Sequence, residues 1–322
     1  GCPGGNMTGK FMRKLRPLGC MLALFGAAAV NADSSVWRIS KGAQQLYIAG
    51  TVHLLPPEQF PLPDEFAKAY QQADTLVFET DVRQLETPQG MQLLMQHAMY
   101  NDGRKLSQVL SAATYQQLQQ FATAQGVDLK ALNGFKPDFV LLTLMQVALQ
   151  KAGMAGEGVD MHFLKQAVAD NKPMLFLETV EQQLAMLLNI SAKNEDAFVA
   201  QNLQQLSELE SELTKIIAAW RSGDTDTMAA LAMAFTDTPE GKLFYNALLV
   251  QRNKNWLPQI QQMLATPEVS YPLALERPSV VYVFADPAIE QLPAAQKQMI
   301  RLGPDNQQRF KAVLQRYKQL LQ

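Results

Sequence analysis

The sequence predicts an α/β fold: a mixed sheet built from two related halves, with a large helical insertion. Three observations carry that prediction. Short runs rich in Val, Ile, Leu and aromatic residues alternate with longer stretches whose apolar residues recur at helical spacing. Two of the short runs echo one another, Leu76-Val77-Phe78-Glu79-Thr80 and, 99 residues later, Leu175-Phe176-Leu177-Glu178-Thr179. Between them, segments 87–100, 111–125 and 137–151 read as helix without interruption by any strand-like run.

Trp37 to Lys41 and Gln45 to Ala49 read as two strands around a Lys-Gly turn, and the second runs straight into Gly50-Thr51-Val52-His53. Pro56, Pro57, Pro61 and Pro63 mark a stiff loop. Asp64 to Ala73 suits a helix and Thr75 to Phe78 a buried strand. After the three middle helices, Gly153 to Gly158 forms a glycine-rich break. A helix over Asp160–Ala169, a turn at Asn171-Lys172-Pro173 and a strand over Met174–Leu177 follow. Thr179–Ile190 is the next helix, and two long amphipathic helices span 194–221 and 241–264, so that 87–151 and 190–265 are largely helical. A last strand, Ser279–Phe284, leads to a helix over 304–321 in a C-terminal region, 270–322.

The first 32 residues read as an address. Lys10, Arg13, Lys14 and Arg16 precede an apolar run from Leu18 to Val30, and small residues follow up to Ala32. This order is that of a signal peptide with leader over 1–32, cleaved after Ala32, and it predicts an exported, periplasmic protein. The apolar run is shorter than the roughly 20 residues that span a bilayer. Cys2 and Cys20, the only two cysteines, both fall in that segment. The remainder, 33–322, carries no thiol, which excludes a cysteine nucleophile and a disulfide framework. Taking the four basic residues from 28 leaves 24 against 30 acidic residues, a net charge of −6. A chain without a basic stripe is not expected to bind nucleic acid. With 48 % hydrophobic residues in 322, it has ample material for a core.

Open α/β sheets bind ligands beyond the carboxyl ends of their strands. His53, Glu79 and Glu178 fall at such ends. Gly50 lets the chain turn and lets substrate or metal approach the backbone. His53 supplies an imidazole for metal ligation, proton transfer or a backbone hydrogen bond. Glu79, closing an apolar strand, is a metal ligand, a general base or a surface cap. Glu178 borders a helix start, where a capping role competes. Asp160 reads as the N-cap of its helix, His162 as a solvent-facing residue, and His97 as filler. Arg252 and Asn253 lie on the 241–264 helix, where Arg252 either reaches a carboxylate or stays solvated. No HExxH, GxSxG, Walker or Rossmann glycine motif occurs.

In this order, five stretches resemble the TraB/GumN family, which includes the PrgY and TIKI proteins. They are Leu46–Leu54, Leu76–Asp81, Glu157–Asp160, Leu177–Leu184 and Gln251–Trp256. The resemblance implies one domain over 33–322 with an α/β core of two related halves. It also implies a metal-dependent hydrolase of peptidase type. His53 and Glu79 would hold a divalent metal (Mn, Co or Zn), and Glu79, Arg252 and Asn253 would serve catalysis; Gly50 and Glu178 are read from their strand-end positions as facing substrate. The expected partner is a peptide or secreted signal. The family pattern has a second GxxH on its last strand. Here Val281-Tyr282-Val283-Phe284-Ala285-Asp286-Pro287 stands in that place, and no His follows His162. That leaves Asp286 as a substitute ligand, a replaced C-terminal region, or a periplasmic binder of a peptide or signal without catalysis. An accessory of a transfer or polysaccharide export system is a further alternative.

Overall fold

The structure is a computed structural model that describes residues 34–41, 44–234, 237–263, 279–283 and 299–301. The signal peptide, Asp286 and the helix expected over 304–321 lie outside the described residues. Among the described residues no helix is long and apolar enough to cross a membrane.

The fold is mixed α/β and mostly helical. Strands β1 (Val36–Lys41) and β2 (Gln44–Gly50) form an antiparallel hairpin. Strands β3 (Thr75–Phe78), β4 (Met174–Phe176), β5 (Ser279–Val283) and β6 (Met299–Arg301) complete one sheet in the order β4-β3-β5-β2-β1-β6. Strands β2, β5, β3 and β4 are mutually parallel neighbours, and β6 adds an antiparallel edge beside β1. All four residues of β3 are buried, as a strand covered on both faces requires.

Helix α1 (Asp64–Gln72) connects β2 to β3, across the position that β5 fills much later in the chain. The insertion holds α2 (Pro88–Ala98), α3 (Leu106–Val109), α4 (Ala112–Gln125) and α5 (Pro137–Lys151). Its ends are set by local chemistry. Thr87 and Ser111 cap α2 and α4 by accepting from Gly90 and Thr114 backbone N–H groups, and Gly126, at φ +78°, ends α4. Helices α6 (Val159–Ala169) and α7 (Val180–Leu187) flank β4. Then come α8 (Glu195–Leu206), α9 (Leu209–Ser222), α10 (Thr225–Ala234) and α11 (Pro239–Tyr245). A π-helical stretch, Asn246–Gln251, leads into α12 (Arg252–Met263).

The long helix expected over 194–221 is thus two helices that break at Ser207-Glu208. The one expected over 241–264 starts earlier and carries a π turn. The short elements α3 and β6 have no counterpart in the sequence reading.

Tyr47, Ala49, Phe66, Leu76, Phe78, Phe163 and Trp220 form the core beside the sheet. A second apolar cluster, around Leu118, Leu144 and Phe198, holds the insertion together. Trp220 fastens α9 to the sheet: its Nε1 donates to the Gly50 carbonyl at 2.9 Å, and the Trp220 carbonyl accepts from Ser35 Oγ at 3.0 Å.

Candidate functional site

Parallel register brings the chemistry to one edge. Ile48 and Val77 both pair with Val281 of β5. Gly50 and Glu79, each two residues further on, therefore stand at the same level of the sheet. Strand β4 lies on the far side of β3, where the Leu177 and Glu178 amides donate to the Phe78 and Glu79 carbonyls at 3.0 and 2.9 Å. The two echoing segments are thus side by side, with both glutamates at the carboxyl edge.

His53 leaves this edge on the turn after β2. The segment Gly156-Glu157-Gly158 runs against it: Leu54 bridges Glu157, and the Val159 amide donates to the Val52 carbonyl at 3.0 Å. A Cβ on Gly158 would lie 2.3 Å from the His53 carbonyl oxygen, so only glycine permits this approach. Helix α6 starts there with Gly158, not Asp160, as its N-cap. Asp160 lies inside the first turn, and its Oδ2 is 3.1 Å from His53 Nδ1. On the other side of the ring, Nε2 is 4.0 Å from Glu79 Oε2.

The imidazole keeps 43 % of its side-chain surface exposed. Crowding by protein atoms works against its charge. Asp160, through charge and a hydrogen bond, and then Glu79 outweigh that and the opposing Arg252, so the His53 pKa is pushed up to about 9. At neutral pH the ring is an imidazolium. Asp160 is therefore a partner of His53 and not a helix cap.

Arg252 is buried, contrary to the solvated alternative. Its Nη2 donates to Glu79 Oε2 and to Glu178 Oε1, the latter at 2.5 Å, and its Nε lies 3.2 Å from both Glu178 oxygens. Burial opposes the guanidinium charge, but Glu79 and Glu178 hold its pKa above the ordinary value. The Trp256 ring lies under the guanidinium at 4.5 Å. Gln259 Nε2 donates to the Leu177 carbonyl at 2.8 Å and seats α12 on the end of β4. Glu178 does not cap α7. Thr179 does so in a capping box with Gln182, which leaves the Glu178 carboxylate for Arg252.

His53, Glu79, Glu178 and Arg252 thus come together, and Asn253 is buried beside Arg252. Gly50 is at the same edge. Its amide donates to Ser35 and its carbonyl accepts from Trp220, so the contacts it makes belong to the fold. His162 is half-exposed against Phe60 and Phe163, at ring distances of 5.0 Å each.

The sequence reading missed Asp160 as a partner, although Gly158 directly before the helix shifts the cap off Asp160 and signals as much. It also missed Thr51 and Thr80. Their buried Oγ1 atoms, with Asn253 Nδ2 and Asp160 Oδ1, have no hydrogen-bond partner among the described residues. Buried polar atoms left so are unusual in a fold.

The implied metal can be tested against these residues. Among the described residues no three His, Cys, Asp or Glu side chains gather as a metal requires. Asp160 and Glu79 are engaged with His53 and Arg252 instead, so the described residues as placed do not by themselves form a Mn, Co or Zn site.

Comparison with known proteins gives the affiliation. The TraB/PrgY/gumN family model matches residues 35–271. A model described as a protein of unknown function (DUF3014) matches 242–318. The uncharacterized protein YbaP of Escherichia coli is 25 % identical over 225 residues, covering 69 % of this chain and 80 % of that protein. YbaP of Shigella flexneri matches to the same extent. No solved structure matches. The family match covers well over half of the chain and takes in every residue of the strand-end cluster: this protein belongs to the TraB/PrgY/gumN family.

Proposed function

We propose that this chain is an exported, periplasmic hydrolase that acts on peptides. The observation that carries the reading is the seating of His53 between Asp160 and Glu79 at the carboxyl edge of parallel strands. One carboxylate orients the imidazole and the other faces its second nitrogen. The order of residues 1–32, basic run, apolar run and small residues, supports export.

In this reading Glu79 takes a proton from water as the water oxygen bonds to the scissile carbonyl carbon. His53 gives its Nε2 proton to the amide nitrogen as the C–N bond breaks. The products are a carboxylic acid and an amine. Glu79 then returns its proton to His53 across the 4.0 Å gap, and the pair is reset. Asp160 keeps Nδ1–H as the donor on its side, so Nε2 faces substrate. Arg252 is a positioning residue: it fixes Glu79 and Glu178 on neighbouring strands. We also read β3 and β4, with their shared Glu-Thr ends, as cognate strands of two related halves.

Incubating the full chain with a degenerate peptide pool, followed by mass spectrometry, tests the proposal. Cleavage by the wild type that is lost in His53→Ala supports it, and equal cleavage by both contradicts it.

A second reading is a binder of peptides or secreted signals without turnover. Arg252 already occupies the Glu79 and Glu178 carboxylates, and the lone Thr51, Thr80 and Asn253 groups suit hydrogen bonds to a bound peptide.

A further inference from the structure

Strand β4 is the outermost strand on its side of the sheet and pairs with β3 alone. The hydrogen bonds show which of its backbone groups that pairing uses. Leu76 N–H donates to the Pro173 carbonyl and Leu177 N–H to the Phe78 carbonyl, at 2.9 and 3.0 Å. Successive residues of a strand direct their N–H and C=O groups to opposite sides, so Pro173, Leu175 and Leu177 face β3. Met174 and Phe176 face the other way, and among the described residues their two N–H donors and two carbonyl acceptors meet no strand.

Free sheet edges are ordinarily guarded by a charge, a bulge or a proline. Here Met174-Leu175-Phe176 carries no charge, and its register with β3 is unbroken. Each of the three residues keeps part of its surface exposed. Pro173 lies on the β3 side, where its carbonyl joins the ladder. Lys172, directly before it, is turned inward: its Nζ donates to the Tyr70 and Ala73 carbonyls at 2.6 and 2.8 Å and lies over the Tyr70 ring at 4.1 Å. Glu178, past the other end, is held by Arg252.

Donors and acceptors that recur about every 6.6 Å along an edge match another extended backbone. The three residues of β4 fall short of the roughly 20 residues a side that a stable dimer buries, which favours a peptide over a second copy of the chain. The edge also belongs to the same rigid element as the strand-end site, since the chain of β4 brings Glu178 to Arg252 two residues beyond Phe176.

We propose that the open edge of β4 takes up an extended segment of the peptide partner as a seventh strand of the sheet. The inference rests on the reading of that partner as a peptide and names the element that holds it. Recognition at this edge is of backbone, so it tolerates many sequences but requires free N–H groups along one side of the peptide.

The test uses the full chain and a fluorescein-labelled hexapeptide of alternating Thr and Val, with affinity read by anisotropy. A copy N-methylated at every second residue keeps one free edge and should bind like the parent. A copy methylated at every residue should bind about tenfold or more weakly, the scale for losing two or more hydrogen bonds. Met174→Pro removes an outward N–H at a position where an edge strand accepts proline and should weaken parent binding about tenfold. Leu175→Lys, which charges the edge and leaves its backbone intact, should do the same and guards against a folding defect in the first variant. No binding by the wild type, equal binding of all three peptides, or wild-type affinity in both variants overturns the proposal. So does a dimer in sedimentation that both variants dissociate, which gives the edge to a second copy. Cleavage is followed in parallel. Edge-dependent binding without cleavage overturns the hydrolase reading and leaves the edge assignment standing. Cleavage with a KM that neither variant moves overturns the edge assignment alone.

Discussion

Asp160 Oδ2 stands 3.1 Å from Nδ1 of His53, although 107 positions of chain separate the two residues. The contact exists because Gly158 lets the start of α6 press against the turn after β2. It fixes which nitrogen of His53 faces outward.

A pH dependence follows from this pairing. The folded pKa of His53, about 9, is above its ordinary 6.5. The folded chain holds the extra proton between those values. The pairing therefore contributes stability fully below about pH 6.5 and loses it as pH rises through about 9. Peptide cleavage that uses His53 as its acid should hold through neutral pH and fall through the same upper value. The rate profile of the Asp160→Asn variant should fall at a lower pH, and a profile unmoved by that variant would contradict the assignment.

Arg252 neutralises two carboxylates in the fold interior. Arg252→Ala leaves both without their cation and should destabilise the chain by about 3–5 kcal/mol in urea unfolding, the scale for breaking a buried pair. Adding Glu79→Gln and Glu178→Gln to that variant should restore part of the loss. If the triple variant is no more stable than the single one, the clasp is not what holds the site.

Gly158→Ala should be costly out of proportion to one methyl group. Its Cβ would meet the His53 carbonyl at 2.3 Å, with backbone on both sides. A loss of about 1–3 kcal/mol, with the His53 pKa falling toward 6.5, is expected. Circular dichroism melts and a proton titration of the variant check both.

Asp138 anchors the helical insertion. It is buried and accepts from the Ser191 amide at 3.0 Å and from the Ser191 hydroxyl at 2.5 Å. Asp138→Ala strands both donors and should destabilise by about 1–3 kcal/mol, without changing the cleavage rate of the folded fraction.

Much of this was legible in the sequence. Strands β2, β3 and β4 end at Gly50, Phe78 and Phe176, within two residues of where the apolar runs stop at Gly50, Glu79 and Glu178, and His53, Glu79 and Glu178 stand at one edge. Helix content through 87–151 followed from periodicity. What was not legible depends on contacts distant in sequence. Nothing in the residues near Ser279 says that β5 inserts between β2 and β3. The burial of Arg252 requires that α12 dock over β4, and its amphipathic pattern alone favoured solvent. Asp at the start of an apolar helix is usually a cap, and only the glycine-mediated approach of His53 gives Asp160 another partner. The π turn ahead of Arg252 has no sequence signature, and such turns recur at functional sites.

Asp160 and Glu79, on either side of His53, hold its imidazole in the charged form. The most direct measurement is an NMR titration of the three histidines in the full chain, with His53 assigned by its absence from His53→Ala. One resonance is predicted to titrate near pH 9 and to move toward 6.5 in Asp160→Asn. A His53 that titrates at or below 6.5 in the wild type would contradict the account.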